Sequence, residues 1–424
     1  MSTGLTPDLG DPNVLAQLFA PAAAEPVIAL AVSGGPDSLA LMLLVQRWAA
    51  ELANAPKIVV YSVDHGLRPE ARDEVAMVLD IAARLGLVAR GLAWTDEKPE
   101  TGISEAARQA RYGLMGAAMR ENGASLLLTA HHRADQAETV LMRLAHGSGI
   151  EGLKGIAPIA QVEGIRIFRP LLDVEPTALA TIVEEAGLTA AQDPSNHDTS
   201  YERVRWRKLL PALAAEGLDG AALSRFATRM AEADQALSQL ADAAFAELVK
   251  LDGFGAATLP RAAFTTLSPA IGRRVLSRVL NIVGGRQKPR ALGQVERLYD
   301  QIAGDSLPRG APLLGAVIRF KGENLTISRE PGRALPAETP LPPQRDLVWD
   351  ERFLITNLSD ATSFQAAATD FMPRHRLEEL LGFKVTTPAE AIRTAPLVTD
   401  ADGALLALGG WSFDDRVKVQ LLID

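Results

Sequence analysis

With 424 residues, 47% of them hydrophobic, the chain has apolar material for two or three packed domains, and no run of about 20 uncharged apolar residues marks a membrane span. The absence of cysteine excludes disulfides, thiolate zinc sites, iron–sulfur clusters and a cysteine nucleophile. A net charge of −9 excludes indiscriminate coating of nucleic acid but leaves local phosphate contacts open.

Residues 1–25 form a lead-in whose Asp8 and Asp11 do not suit a signal peptide, so a cytoplasmic location is expected. From 26 to 211 apolar runs alternate with helical patterns. PVIALAV (26–32), KIVVYSV (57–63), LVARGLAW (87–94), ASLLLTA (124–130) and IRIF (165–168) read as strands. Helices are predicted between them, up to about Asn54 and over about 70–85, 104–121 and 135–145. This order predicts an α/β, Rossmann-like parallel sheet with helices on both faces, which binds ligands at the carboxyl ends of its strands. Residues 212–305 read as helical with no convincing strand, and 313–330 as a β-hairpin, so 212–335 is predicted as a helical domain ending in a hairpin. Five prolines in 331–346 suggest a linker, and 347–424 a small β-rich C-terminal domain.

The strongest chemical signal is the string AVSGGPDS (31–38) between the first strand and its helix. Gly34 and Gly35 let backbone N–H groups approach phosphate oxygens, Pro36 opens a helix whose positive end faces the same anion, and Ser33 and Ser38 add hydroxyls. Asp37 in such a cradle implies a bridging Mg²⁺. The loop is not a Walker A motif, and an ordinary strand-to-helix turn would also use these residues.

Other candidates follow the strand ends. Asp64 and His65 follow the second strand and are assigned to a nucleotide site, although a histidine there is often structural. Arg108 and Arg111 share one helical face, as a solvated basic stripe also would. His131 and His132 follow the fourth strand. Asp135 and Glu138 have capping-box spacing, which leaves open a purely structural reading with Asp135 as N-cap. Arg203 and Arg207 lie one helical turn apart and suit either phosphate or salt bridges to acids. Trp206 suits base stacking or core. Two basic patches are candidates for RNA contact: Arg205 and Lys208 in the first, and Arg286, Lys288 and Arg290, near Arg273, Arg274 and Arg278, in the second. His146 and the glycines at 147, 149, 152 and 155 suggest a gating loop or plain turns.

In this order, SGGPDS, VDHGLR (63–68), HHRADQAET (131–139), HGSGIEGLKGI (146–156), RPLL (169–172) and DPSNHDTSYERVRWRKLLP (193–211) resemble the bacterial tRNA(Ile)-lysidine synthetases of the ATP pyrophosphatase (PP-loop) superfamily. The resemblance is strong over 26–211 and weaker beyond. It implies a C–N ligase that uses ATP and Mg²⁺ to join free lysine to the wobble cytidine of tRNA(Ile) with a CAU anticodon, and leaves a homodimer open. It implies that His131, Asp135 and Glu138 handle lysine and metal-bound ATP, with Asp37 and Asp135 on the metal, that Arg111 points at the ATP phosphates, and that Arg203 and Arg207 match the arginines of an RNxxR string. The chain departs from the family at Ala134, His146 and Val204, the last implying a change in a hydrogen bond to the anticodon stem. Two other readings stay open: a synthetase that adenylates another acceptor, and a non-catalytic RNA-binding relative.

Overall fold

The structure, a computed structural model, describes residues 8–191, 198–285, 292–332, 334–370 and 372–423. The chain forms two compact units, one up to Asp234 and one from Gln235 onward.

In the first unit, α1 (Pro12–Leu18) leads to β1 (Val27–Ala31), α2 (Pro36–Ala50), β2 (Lys57–Asp64), α3 (Ala71–Arg84), β3 (Val88–Ala93), α4 (Ile103–Asn122), β4 (Leu126–Leu128) and α5 (Arg133–Ala145). After these come α6 (Ile150–Leu153), β5 (Ile159–Val162), β6 (Ile165–Phe168), α7 (Pro176–Glu185), α8 (Glu202–Ala215) and α9 (Gly220–Leu248), which runs on into the second unit's residues. The sheet order is β3-β2-β1-β4-β6-β5, parallel throughout except for the β5–β6 hairpin. The sequence pattern did not reveal β5, because Ile159–Val162 is half exposed and held only at the sheet edge.

Both faces of the sheet are covered, so its central strands are apolar on both sides. Ile28 and Leu30 pack toward α2 and α7, while Ala29, Val59 and Leu127 pack toward α4. Leu39, Leu41, Met42, Leu44 and Val45 of α2 are fully buried, so this helix is apolar around most of its circumference. Chain order reverses between β1 and β4, its neighbours on either side being β2 and β6. A crevice opens at the carboxyl ends of strands at such a switch point. The residues after β1 and after β4 therefore face one another.

The second unit holds β7 (Lys250–Leu251), β8 (Ala257–Pro260), α10 (Arg261–Thr266), α11 (Pro269–Gly284), α12 (Leu292–Ala303), β9 (Ala311–Leu313), β10 (Ala316–Lys321) and β11 (Asn324–Arg329). Beyond them lie β12 (Thr339–Leu341), β13 (Asp346–Trp349), β14 (Phe353–Asn357), β15 (Phe364–Ala368), α13 (Arg374–Leu381), α14 (Ala389–Thr394), β16 (Pro396–Thr399), β17 (Leu405–Leu408), β18 (Trp411–Ser412) and β19 (Val417–Leu421). The hairpin expected near 313–330 is β10–β11, part of the antiparallel sheet β7-β8-β11-β10-β9. The stretch expected to be wholly helical thus contains two strands. Both are short, and β8 exists because β11 supplies its register, Leu259 opposite Leu325. The C-terminal strands form two further sheets, β12-β15-β16-β17-β18 and β13-β14-β19. No helix among the described residues is long and apolar enough to cross a membrane.

Candidate active site

The loop after β1 turns because Gly34 adopts φ +89°, a backbone conformation that side chains disfavour. Its carbonyl accepts from Ala191 N–H at 2.9 Å, which anchors the turn from the far side. Gly35 is the N-cap of α2, and Pro36 occupies the first helical position, where no N–H is needed. The Ser38 hydroxyl donates to Gly35 O at 2.9 Å and accepts from Ser33 N–H at 3.2 Å. These bonds hold the loop open around the start of α2.

A cavity of about 380 Å³ lies against this loop. Ser33, Gly35, Asp37 and Ser38 line it from the β1 end, His65 from the β2 end, and Thr129, His131 and Asp135 from the β4 end. Arg108, Arg111 and Tyr112 of α4 and Arg203 of α8 complete the wall. The helical-face reading of Arg108 and Arg111 therefore ends at the cavity. Neither has a carboxylate partner among the described residues, and Arg108 lies over the Tyr112 ring at 5.1 Å.

The two histidines after β4 differ. His131 Nδ1 lies 2.9 Å from the Thr129 hydroxyl. Burial, only partly offset by the Asp135 carboxylate and reinforced by Arg169, Arg203 and Arg108, lowers its pKa to about 4. It is neutral at physiological pH. His132 is buried, and its Nε2 sits 3.5 Å from Asp37 Oδ2 and 3.6 Å from Asp135 Oδ2. Burial works to lower its pKa, but the contact with Asp37 and the charges of Asp135, Asp37 and Glu138 outweigh burial and raise it. Sequence reasoning gave His132 no separate role. Its place between two carboxylates depends on the β1–β4 adjacency, which no local spacing encodes.

The helix after β4 starts earlier than its spacing suggested. His132 is the N-cap and Asp135 the third helical residue, whose Oδ2 accepts from His132 N–H at 3.0 Å. Asp135 thus closes the cap from inside the helix while lining the cavity, and it is not the N-cap. Glu138 is not a capping partner. It is fully buried and receives Arg203 Nε at 3.0 Å and Arg207 Nε at 2.7 Å. The Glu138 hydrogen bond raises the Arg207 pKa despite partial burial. The salt-bridge reading of these arginines describes the geometry: Arg203 reaches the cavity from this pair, and Arg207 does not line it.

The remaining candidates are placed as follows. Asp64 does not line the cavity; Oδ1 accepts from Gly66 N–H at 2.7 Å and Oδ2 lies 3.6 Å from Arg72. Burial lowers the His65 pKa, with Arg111 adding to the effect. Arg205 and Lys208 are exposed, and Arg205 donates to Thr199 O and Ser200 O. Val204 is buried. Trp206 packs against the Val140–Leu223 cluster and donates to Glu202 at 3.2 Å. Arg286, Lys288, Arg290 and the DPSN string lie outside the described residues. In the second patch, Arg273 pairs with Glu296 and Asp300, and Arg278 with Asp242. Arg169 of the RPLL string is buried, its charge helps to lower the His131 pKa, and it donates to Ala157 O at 2.7 Å.

No group of three His, Asp or Glu side chains capable of holding a metal occurs among the described residues. Asp37 and Asp135 both line the cavity. One or two carboxylates completed by phosphate oxygens and water are the usual donor set for Mg²⁺, so these residues fit that ion.

A doubly wound sheet with a glycine-rich loop and two carboxylates at its switch point defines a phosphate-handling enzyme of the PP-loop class, and residues 11–213 match the PP-loop domain family. A tRNA(Ile)-lysidine synthase of Bradyrhizobium sp. (strain BTAi1) is 43% identical over 75% of this chain and 94% of its own length. The synthase of Rhodopseudomonas palustris is 46% identical over 75% of this chain and 94% of its own. That of Ruegeria pomeroyi is 36% identical over 82% and 81%. The chain belongs to the tRNA(Ile)-lysidine synthase family.

Proposed function

We propose that this enzyme uses ATP to join the ε-amine of lysine to C2 of the wobble cytidine in tRNA(Ile) with a CAU anticodon. The observation that carries the proposal, beside family membership, is the single cavity into which the AVSGGPDS loop, the His131–Asp135 segment and three arginines all open. In the first step cytidine O2 attacks the α-phosphorus and pyrophosphate leaves. In the second the lysine nitrogen attacks C2, and AMP leaves carrying the former O2.

The loop N–H groups and the Ser33 hydroxyl bind phosphate oxygens at the start of α2, and the Ser38 hydroxyl turns its proton from Gly35 O to a phosphate oxygen when ATP is bound. Arg108, Arg111 and Arg203 offset the charge that develops on pyrophosphate and AMP. When bound, Mg²⁺ would be held by Asp37, Asp135 and phosphate oxygens, and would neutralise charge on the leaving pyrophosphate. The lysine amine must attack as the free base, and its ordinary pKa is about 10.4. The same arginines disfavour its protonated form. Once the C–N bond forms, the nitrogen is cationic and far more acidic, so Asp135 suffices as the proton acceptor. Neutral His131 accepts a hydrogen bond and orients the amine. Glu138 acts through Arg203 and Arg207, which it holds in place. Arg205, Lys208 and the Arg286–Arg290 segment are assigned to tRNA. Residues 26–211 are read as the catalytic domain, 212–335 as a tRNA-binding domain and 347–424 as a C-terminal domain.

The test is incubation of the purified protein with ATP, labelled lysine and tRNA(Ile) bearing CAU. Label should enter the RNA with one AMP and one pyrophosphate released per lysine. Asp37→Ala should lower turnover by at least about 100-fold with an unchanged circular dichroism spectrum. Pyrophosphate release that ignores lysine, with no label in the RNA, overturns the proposal.

A further inference from the structure

A second cavity, about 260 Å³, lies within the second unit. Its floor follows from strand alternation. Leu325 and Ile327 of β11, with Ala257 and Leu259 of β8, are buried in the core. Period two therefore turns Asn324, Thr326 and Thr258 to the opposite face. Thr258 and Thr326 are direct cross-strand partners. A polar sheet face ordinarily meets water, but here residues 386–388 form the facing wall.

That wall is fastened by two cations. Lys321 Nζ donates to Thr386 O at 3.0 Å, and Arg374 donates to Val385 O and Thr387 O at 2.5 and 2.8 Å. The cavity's carboxylate is already occupied: Asp252 Oδ1 accepts from Phe254 and Ala256 N–H, and Oδ2 from the Thr387 hydroxyl at 2.6 Å. Unused donors remain. Thr326 is only 5% exposed, and its hydroxyl has no hydrogen-bond partner among the described residues. Thr326 lines the cavity, so an occupant there can supply the missing partner. The Thr258 and Thr386 hydroxyls, the Asn324 amide and the remaining Lys321 protons face the same space. A site with spare donors, a lysine and a single carboxylate already held by three hydrogen-bond donors favours an oxyanion over a metal ion.

We propose that this cavity is a phosphate subsite that takes one backbone phosphodiester of the tRNA, with Lys321 and Thr326 as its principal contacts. The proposal rests on the tRNA reading given above. Lys321 and Asn324 are exposed, so a phosphate still attached to a chain can enter.

The full-length protein is assayed for binding of fluorescent tRNA(Ile) between about 50 and 200 mM salt, beside Lys321→Met and Thr326→Val. Lys321→Met should weaken binding about five- to tenfold and reduce the log–log salt slope by about 1. Thr326→Val loses a hydrogen bond but no charge, so it should weaken binding about threefold with the slope unchanged. Thr326→Val should keep the wild-type melting temperature, Lys321→Met should lower it by a few degrees at most through the lost bond to Thr386 O, and both should keep the KM for ATP. Wild-type affinity and slope in both variants overturn the subsite. So does inorganic phosphate raising the melting temperature of the wild type but not of Thr326→Val while tRNA affinity stays unchanged, which marks a free-anion site. A wild-type protein that does not bind tRNA overturns the tRNA reading itself, and the RNA occupant with it.

Discussion

Glu138 is the most informative residue to perturb, because a fully buried carboxylate serves two half-exposed arginines. Its oxygens lie 3.0 Å from Arg203 Nε and 2.7 Å from Arg207 Nε, and the two guanidinium side chains are each 44% exposed. At an effective dielectric of 20, each contact is worth about 5–6 kcal/mol of gross attraction. Burying the carboxylate costs several kcal/mol, so the net value is far smaller. Removing one partner of a wholly buried pair costs about 3–5 kcal/mol. Here both arginines can rehydrate, so Glu138→Gln should cost about 2 kcal/mol, or about 1 M in urea midpoint. The carboxamide keeps the shape, but its NH₂ then faces a guanidinium donor. Urea unfolding followed by tryptophan fluorescence gives the stability change. Lysine incorporation should fall more than ATP affinity, because Arg203 at the cavity loses its anchor. Arg207→Met, which leaves Arg203 paired, should cost less, and the double variant should cost less than the sum of the singles. An unchanged midpoint with wild-type turnover, or strict additivity, would refute the reasoning.

Gly34→Ala forces a side chain to φ +89° and brings a Cβ within 2.9 Å of the Met77 methyl. It should lower stability by about 1–2 kcal/mol and weaken ATP binding at least about tenfold by calorimetry, and unaltered affinity would count against the phosphate role of the loop. His131 titrates near 4 when folded, below its ordinary value of about 6.5. Its contribution to stability is complete above pH 6.5 and is lost as pH falls toward 4, by roughly 3 kcal/mol at most. His132, raised in the fold, acts oppositely, being lost as pH rises through its folded value, so the wild-type minus His131→Asn stability difference should bend between pH 6.5 and 4. In the second unit, a Cβ at Gly253 would collide with the Trp411 ring. Gly253→Ala should cost about 2 kcal/mol and lower the melting temperature by about 4–8 °C.

The alternation of buried strands with helices, the SGGPDS loop, the placing of Asp37, His65, His131 and Asp135 just after strand ends, and the shared helical face of Arg108 and Arg111 were legible in sequence because each rests on local periodicity or a short string. Tertiary structure alone decided which of them share a cavity. His132 meets Asp37 only because β1 pairs with β4, ninety-odd residues away in the chain. Glu138 has the spacing of a capping partner, yet it is an ion-pair hub because α8 returns to pack on α5. Val204 sits in a basic string but faces the core. β8 is a strand because β7 and β11 pair with it on either side. Local sequence sets a residue's chemistry and its element. The charges and walls that surround it come from segments distant in the chain, and only the packed fold selects these.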